Sequence, residues 1–438
     1  MRWNWKGIYF TCWLVRRSND NEISKLKNRS SASVSDSVKL LLADMDQRQF
    51  SALADYSLKF DKFRLNMENI KIPKEEIEKQ ASELTKQQIR AIDFAYAQTK
   101  TLQEKIAQFI TPISIQSKFG VTKFIPKPID RVGIYVPGGL APLPSSLLMA
   151  AVSAKAAGVK DIILCTPPRS DGLSPAIAYL MLKLGIKDAF WLGGVAAIWF
   201  MANGISPFKA VDKICGPGNS FVTEAKSQLS QSGKIGIDMI AGPSEVLIIA
   251  DGSANPAYIA ADLLAQAEHG INSSSVLLTD SKELAIAVQN EIDFQLSKMK
   301  RKKEIKQALE TCGGIFVIDD PISQGVAMAN QFVPEHLEIY CKKSLCDSIL
   351  SCNPKAGAIF INTCEAFADY GMTGGNHILP TNRTARFSSG LSAKDFFIWQ
   401  YVEELSDQAQ SNLSDFTTKF ADLESLEAHS NAAKLRKR

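Results

Sequence analysis

Between Arg131 and Ile361 the chain alternates short apolar, β-branched runs with helical stretches, and this alternation restricts the fold more than any other feature. RVGIYV, DIILC, DAFWLGG, VDKICG, EVLIIAD, SVLLTD, GIFVID, HLEIYC and GAIFI read as strands. SSLLMAAVSAKAAG, NSFVTEAKSQL, AYIAADLLAQAEHG and SKELAIAVQNEI read as the helices between them. Continuously apolar strands are covered on both faces, and strand–helix–strand order makes a sheet parallel. Nine strands are generous for one sheet, so the expected fold is α/β with two similar doubly wound, incomplete Rossmann-like lobes and mostly parallel sheets.

The flanks have a different texture. Residues 32–112 are charged, poor in glycine and helical in period, with Pro73 at a favoured first-turn position. Residues 363–390 are rich in Gly, Thr, Ser and Asn, and a loop of that length beside a compact sheet is usually functional. Beyond it, DFFIWQYVEELS and LSDFTTKFADLESLEAHSNAAKL both read as helical. The expected division is an N-terminal extension (1–31), an N-terminal helical region packing on the lobes (32–130), lobe one (131–243), lobe two (244–380) and a C-terminal helical extension (381–438).

Composition excludes several function classes. The net charge of +4 is spread along the chain apart from a terminal KLRKR, which reads as a solvated tail, so neither nucleic acid nor a membrane is an expected partner. The eight cysteines form no CxxC pair or zinc ribbon and read as reduced core residues, which favours a reducing compartment. MRWNWKGIYFTCWLV lacks a small-residue cleavage site and is too short to span a bilayer; it reads as a terminal strand or an overlong start. The expected location is cytoplasmic.

Only four histidines are present: His269 in LLAQAEHG, His336 in FVPEHLEI, His377 in TGGNHILPT and His429 in LEAHSNAAKLR. All four lie in polar, glycine- or acid-flanked strings. Neutral imidazole is the commonest metal ligand and titrates nearest neutral pH, so these strings are the first candidates for an active site. Gln266 and His269 share one face at a helix end, where they offer an edge of a metal site or, on the plainer reading, a cap before Gly270. Glu335 and His336 precede the strand LEIY, so an acid and an imidazole would face a cleft beyond the strand ends, suited to proton transfer or to a surface ion contact. Asp369 sits in the glycine-rich FADYGMTGGNH, where glycines allow close backbone approach to a ligand. Glu424 and His429 read as helix-surface residues or as part of the same centre; a carboxylate, an amide and two imidazoles make a plausible zinc sphere.

No strand is followed by GxGxxG, and no GxxxxGK[ST] occurs. Instead YVPGGLAPLPSS and CGPGNSFVTEAK each follow a strand and open a helix. Such turns receive a dinucleotide's phosphates, or are simply tight connections.

Together the strings DRVGIYVPGG, APLPSS, VDKICGPGN, GIDMIAGPSEVLIIAD, ADLLAQAEHG, VPEHLEI, TGGNHILPT, TARFSSGLS and LEAHSNA make the chain resemble the histidinol dehydrogenases, from about residue 32 to the C-terminus. The resemblance implies oxidation of L-histidinol to L-histidine through histidinal, by two hydride transfers to NAD. It implies a zinc ion on Gln266, His269, Asp369 and His429, the last from the partner subunit of a homodimer held by residues 381–438. Glu335 and His336 would be the proton acceptors. Ser244, Gln266, His269, His336, Asp369, Glu424 and His429 would contact substrate in lobe two, and Tyr135 and Asn219 would contact NAD in lobe one.

The chain departs from the family pattern in four places. Ala196 stands where the family has an NAD-contacting glutamine, which bears on cofactor affinity. Arg48–Phe50 replaces an acidic RGD-like turn, and Trp399 replaces a basic residue. INTCEAFADY is shorter than usual before Asp369, which bears on substrate identity. The competing readings are a relative oxidising another small alcohol, such as a hydroxysulfonate, and a non-catalytic, metal-dependent binding or assembly protein.

Overall fold

The computed structural model describes residues 15–17, 32–138 and 142–437. All nine expected strands are present, in two parallel sheets with helices on both faces. An N-terminal strand β1 (Val15–Arg17) and the antiparallel β2 (Ile113–Gln116) and β3 (Gly120–Pro128) precede them. Lobe one contains β4 (Arg131–Tyr135), β5 (Asp161–Thr166), β6 (Asp188–Trp191), β7 (Lys213–Cys215) and the short β8 (Gly236–Ile237). Lobe two contains β9 (Glu245–Ala250), β10 (Ser274–Thr279), β11 (Gly314–Val317), β12 (His336–Tyr340) and β13 (Ala358–Ile361).

The lobe-one sheet runs β6-β5-β4-β7-β8 and the lobe-two sheet β1-β11-β10-β9-β12-β13. In each, the lobe's first long strand is central and the order turns outward on either side of it. A doubly wound sheet follows from this, with its switch point beside β4 in one lobe and β9 in the other.

Burial explains why these strands lack polar alternation. Val246 and Ile248 enter the core on one face of β9, Leu247 and Ile249 the core on the other, and all four are fully buried. Lobe one repeats the arrangement, with Val132 and Ile134 on one face and Ile163 and Ile214 on the other. A period of two with apolar residues at both phases is what a sheet sandwiched between helices requires. Val15–Arg17 extends the lobe-two sheet at its edge, paired parallel with β11.

Two expectations of helix fail. Within 32–130 the helices end at Gln108, and ISIQ and GVTKFIPKP form β2 and β3. Residues 397–405 form a strand, β14 (Phe397–Leu405), antiparallel to β3 along its whole length, so the C-terminal extension is not helical throughout. FIWQYV is aromatic and β-branched, and such side chains favour a pleated surface with cross-strand partners. Trp399 finds one in Phe124, their rings stacked with centroids 4.8 Å apart. Pro126 and Pro128 are tolerated because they lie beyond the reach of β2, where β3 has a strand on one side only. The helices Asp407–Leu423 and Glu427–Lys434 follow as expected.

Candidate active site

In a parallel sheet the helix after a strand runs back toward the strand's amino end. The helix Pro256–Ala267 after β9 therefore delivers Gln266, in its last turn, to the amino edge of the lobe-two sheet. His336, the first residue of β12, and Glu335 just before it stand at that same edge. The pair thus faces the amino ends of the strands. The short helix Ala366–Asp369 brings Asp369 to the group.

His336 is the centre of the cluster. Its Nδ1 lies 3.3 Å from Gln266 Oε1 and its Nε2 3.6 Å from Asp369 Oδ1. Gln266 and His336 are 1% and 4% exposed, so the His336 ring makes no surface ion contact, whereas His269 is exposed, as on the plainer reading. Burial, followed by the nearby imidazoles of His269 and His377, lowers the pKa of His336 to about 3 and keeps the ring neutral. With Nδ1–H donating to the Gln266 carbonyl, Nε2 presents its lone pair toward Asp369. His336 Nε2, Gln266 Nε2 and Asp369 Oδ1 are all buried without a hydrogen-bond partner. Unpartnered polar atoms at this depth are rare and mark a place for a ligand or an ion.

Asp369 has its pKa raised to about 7, by burial first and the Glu365 carboxylate second. Glu335 is held well above the usual carboxylate range, again chiefly by burial, although the Glu245 N–H donates to its Oε2 at 3.2 Å. Ser244 adjoins this contact, at the start of β9. His269 stays open to solvent at the helix end while the protein behind it lowers its pKa.

His377 joins the lobes. Its Nδ1 lies 2.8 Å from the Asp369 carbonyl and its Nε2 3.1 Å from Ser146 Oγ. Ser146 is buried in the first turn of the helix Pro144–Ala156, at the carboxyl edge of lobe one. The carboxyl edge of one sheet therefore meets the amino edge of the other across a single imidazole. Sequence reasoning assigned His377 no role and passed over Ser146; NHILPT and PLPSS were the available signals.

At lobe one's carboxyl edge, Asn219 caps the helix Ser220–Gln231 by accepting from the N–H groups of Phe221 and Val222, and remains exposed. Tyr135 ends β4 but is buried, and its hydroxyl accepts from the Gly194 N–H at 3.1 Å. The turn after β4 lies partly outside the described residues, which omit 139–141. Ala196 is fully buried in the lobe-one core, so its side chain touches packing neighbours. A glutamine there has no open surface to reach from. The glycines of TGGNH serve close packing too: a Cβ on Gly374, at φ +83°, would lie 2.9 Å from the Gln98 carbonyl oxygen.

Glu424 and His429 are exposed on the C-terminal helices, and neither hydrogen-bonds or ion-pairs with the clustered residues of its own chain. Beside the cluster lies a second group that the sequence reading missed. Asp262, Glu338 and Glu365 are all buried, with one carboxylate oxygen of each within 4.8 Å of the others.

A family model for histidinol dehydrogenase matches residues 24–437. The chain belongs to the histidinol dehydrogenase family. It is 39% identical over 424 residues to the histidinol dehydrogenase of Clostridium acetobutylicum, covering 94% of this chain and 95% of that one. The Caldanaerobacter subterraneus relative is also 39% identical, over 416 residues and 94% of each chain. The crystal structure of histidinol dehydrogenase from Elizabethkingia anophelis superposes with a TM-score of 0.88 at 34% identity, covering 98% of this chain and 99% of that one. The family's members are oxidoreductases, and the chain is an enzyme of that class. Among the described residues no helix is long and apolar enough to cross a membrane.

Proposed function

We propose that the protein oxidises L-histidinol to L-histidine through histidinal, a closing stage of histidine biosynthesis, with NAD as oxidant and zinc in the site. The observation that carries this reading is the convergence of Gln266, His336 and Asp369 with buried, unpartnered polar atoms at the junction of two doubly wound lobes. The donor set fits the groups it would hold. An amide, a carboxylate and the solvent-open His269 imidazole suit zinc, and an imidazole from a partner chain completes four ligands. Asn219, exposed at a helix start beside the switch point of lobe one, suits NAD; the buried Tyr135 supports that edge from beneath. When bound, zinc would hold the amino and imidazole nitrogens of the substrate and NAD would take up the hydrides.

The chain's own residues then divide the proton work. His336, neutral and with Nε2 free, accepts the hydroxyl proton as the first hydride leaves the carbinol carbon. One water adds to the aldehyde, and its oxygen ends in the carboxylate. Glu335, whose pKa burial raises well above the usual carboxylate range, takes up and returns the proton of that water. Loss of the second hydride from the hydrated carbon gives the acid. Each turnover consumes two NAD and one water. Ser244 and Asp369 line the same edge and would orient substrate.

Glu424 and His429 complete the site only if they come from a second copy. The C-terminal helices support this by exposing Phe416, Phe420, Leu423 and Leu435, each at least 66% open, an apolar face that a homodimer would cover. The test is NADH formation by purified protein from histidinol, with and without a chelator, beside a hydroxysulfonate. Chelator-sensitive NADH from histidinol alone is expected. Preference for the other alcohol, or indifference to the chelator, would overturn the assignment.

A further inference from the structure

The carboxyl groups of Asp262, Glu338 and Glu365 come from the three elements that carry the active-site cluster. Asp262 lies one helical turn before Gln266, Glu338 two residues after His336, and Glu365 one turn before Asp369. Their relative exposures are 8%, 0% and 3%. No basic side chain among the described residues pairs with any of them. Three ionised carboxylates so close and so dry would repel one another strongly. Burial first, and the adjoining Glu365 and Asp262 carboxyl groups after it, hold Glu338 well above the usual carboxylate range.

The contacts around the group show what it holds. Glu338 Oε1 accepts from the Glu365 N–H at 2.9 Å, at the entry to the helix Ala366–Asp369. The Glu365 carbonyl accepts in turn from the Asp369 N–H at 2.9 Å. Asp262 Oδ2 accepts from the Tyr340 hydroxyl at 2.8 Å, which ties the Gln266 helix to the far end of β12. Oε2 of Glu338 and Oε2 of Glu365 are buried without a hydrogen-bond partner.

We propose that Glu338 is a positioning residue: its side chain clasps Asp262 and Glu365 and thereby holds Gln266, His336 and Asp369 in register for the metal. This rests on the reading of Gln266 and Asp369 as metal ligands. A strand, a helix end and a one-turn helix have little other reason to keep sub-ångström register, and the one-turn helix has no stability of its own.

The test compares Glu338→Gln with Glu338→Leu by zinc competition against a chromogenic chelator, together with turnover on histidinol and circular dichroism. Glutamine keeps the acceptor for Glu365 N–H and adds a fixed donor that faces the neighbouring carboxyl groups. Its zinc affinity should stay within about threefold of the parent. Leucine removes both, and zinc affinity should fall about 10- to 100-fold with the fold intact, as for other residues that orient metal ligands. Equal zinc affinity in a folded Glu338→Leu protein would overturn the clasp. Equal loss in Glu338→Gln, or release of a second metal equivalent, would show an ionised cation site and overturn it also. If the leucine variant does not fold, Asp262→Asn against Asp262→Ala applies the same comparison from the helix side. A parent protein that binds no zinc would defeat the metal reading itself, a result separate from either.

Discussion

Lys226→Met tests whether a buried ion pair holds the turn that leads to Asn219. Lys226 lies on the helix Ser220–Gln231, and its ammonium meets Asp238 with both side chains 2% exposed. The two residues grip Gly216 from both sides. Lys226 donates to its carbonyl at 3.0 Å, and its N–H donates to Asp238 at 2.7 Å. Gly216 has φ +118°, and a Cβ there would lie 2.1 Å from the Tyr135 carbonyl oxygen, so the turn has no slack on the strand side. Removing one member of a buried ion pair costs roughly 3–5 kcal/mol, because the remaining charge stays dry and unpaired.

Asp238 keeps the N–H groups of Gly216 and Met239, which places this loss near about 3 kcal/mol. The Gly216 carbonyl also loses its donor, about 1 kcal/mol more. A total of about 4 kcal/mol is a large share of the roughly 5–15 kcal/mol available to a folded protein. Urea unfolding followed by tryptophan fluorescence is the assay, since Trp191 and Trp199 are buried in the same lobe. Under the cofactor reading, KM for NAD rises while zinc content is unchanged. A stability loss below about 1 kcal/mol would refute the claim that the pair braces the turn.

His336→Asn should lower turnover about 10²- to 10⁴-fold with metal content retained, measured by NADH formation and metal analysis; near-parental turnover would remove His336 as the base. His429→Asn should lose zinc on dialysis. Mixing and reassociating inactive His336→Asn and His429→Asn subunits should restore about a quarter of parental activity, because half the dimers are mixed and each carries one intact site. No recovery would place His429 in its own subunit's site. Ala196→Gln should lower stability by about 1–3 kcal/mol by overpacking the lobe-one core, and an unfolding midpoint equal to the parent's would contradict the burial of Ala196.

Most lobe strands were legible because they are continuous apolar runs buried on both faces, whereas β13 at the sheet edge leaves Ile359 and Ile361 exposed. The helix ending in Gln266 was legible from its 3.6-residue period. Strand β14 was not: its nine residues are mostly exposed, so no burial pattern marked them, and their conformation follows from pairing with β3, more than 250 positions earlier. TGGNH looked like a ligand cradle, yet Gly374 packs against the Gln98 carbonyl and Gly375 against the Ala368 side chain, since glycine reports a close approach without naming what approaches.

The residue types of the site belong to the sequence alone: four histidines, all in polar strings, beside acids and an amide. Their grouping does not. Gln266, His336 and Asp369 meet because helices return each chain segment to the amino edge of one sheet, a consequence of parallel topology that no local string encodes. The same holds for Asp262, Glu338 and Glu365, three ordinary acids until tertiary packing removes their water. Burial acts on charge through the dielectric, and the dielectric at a residue is set by everything folded around it.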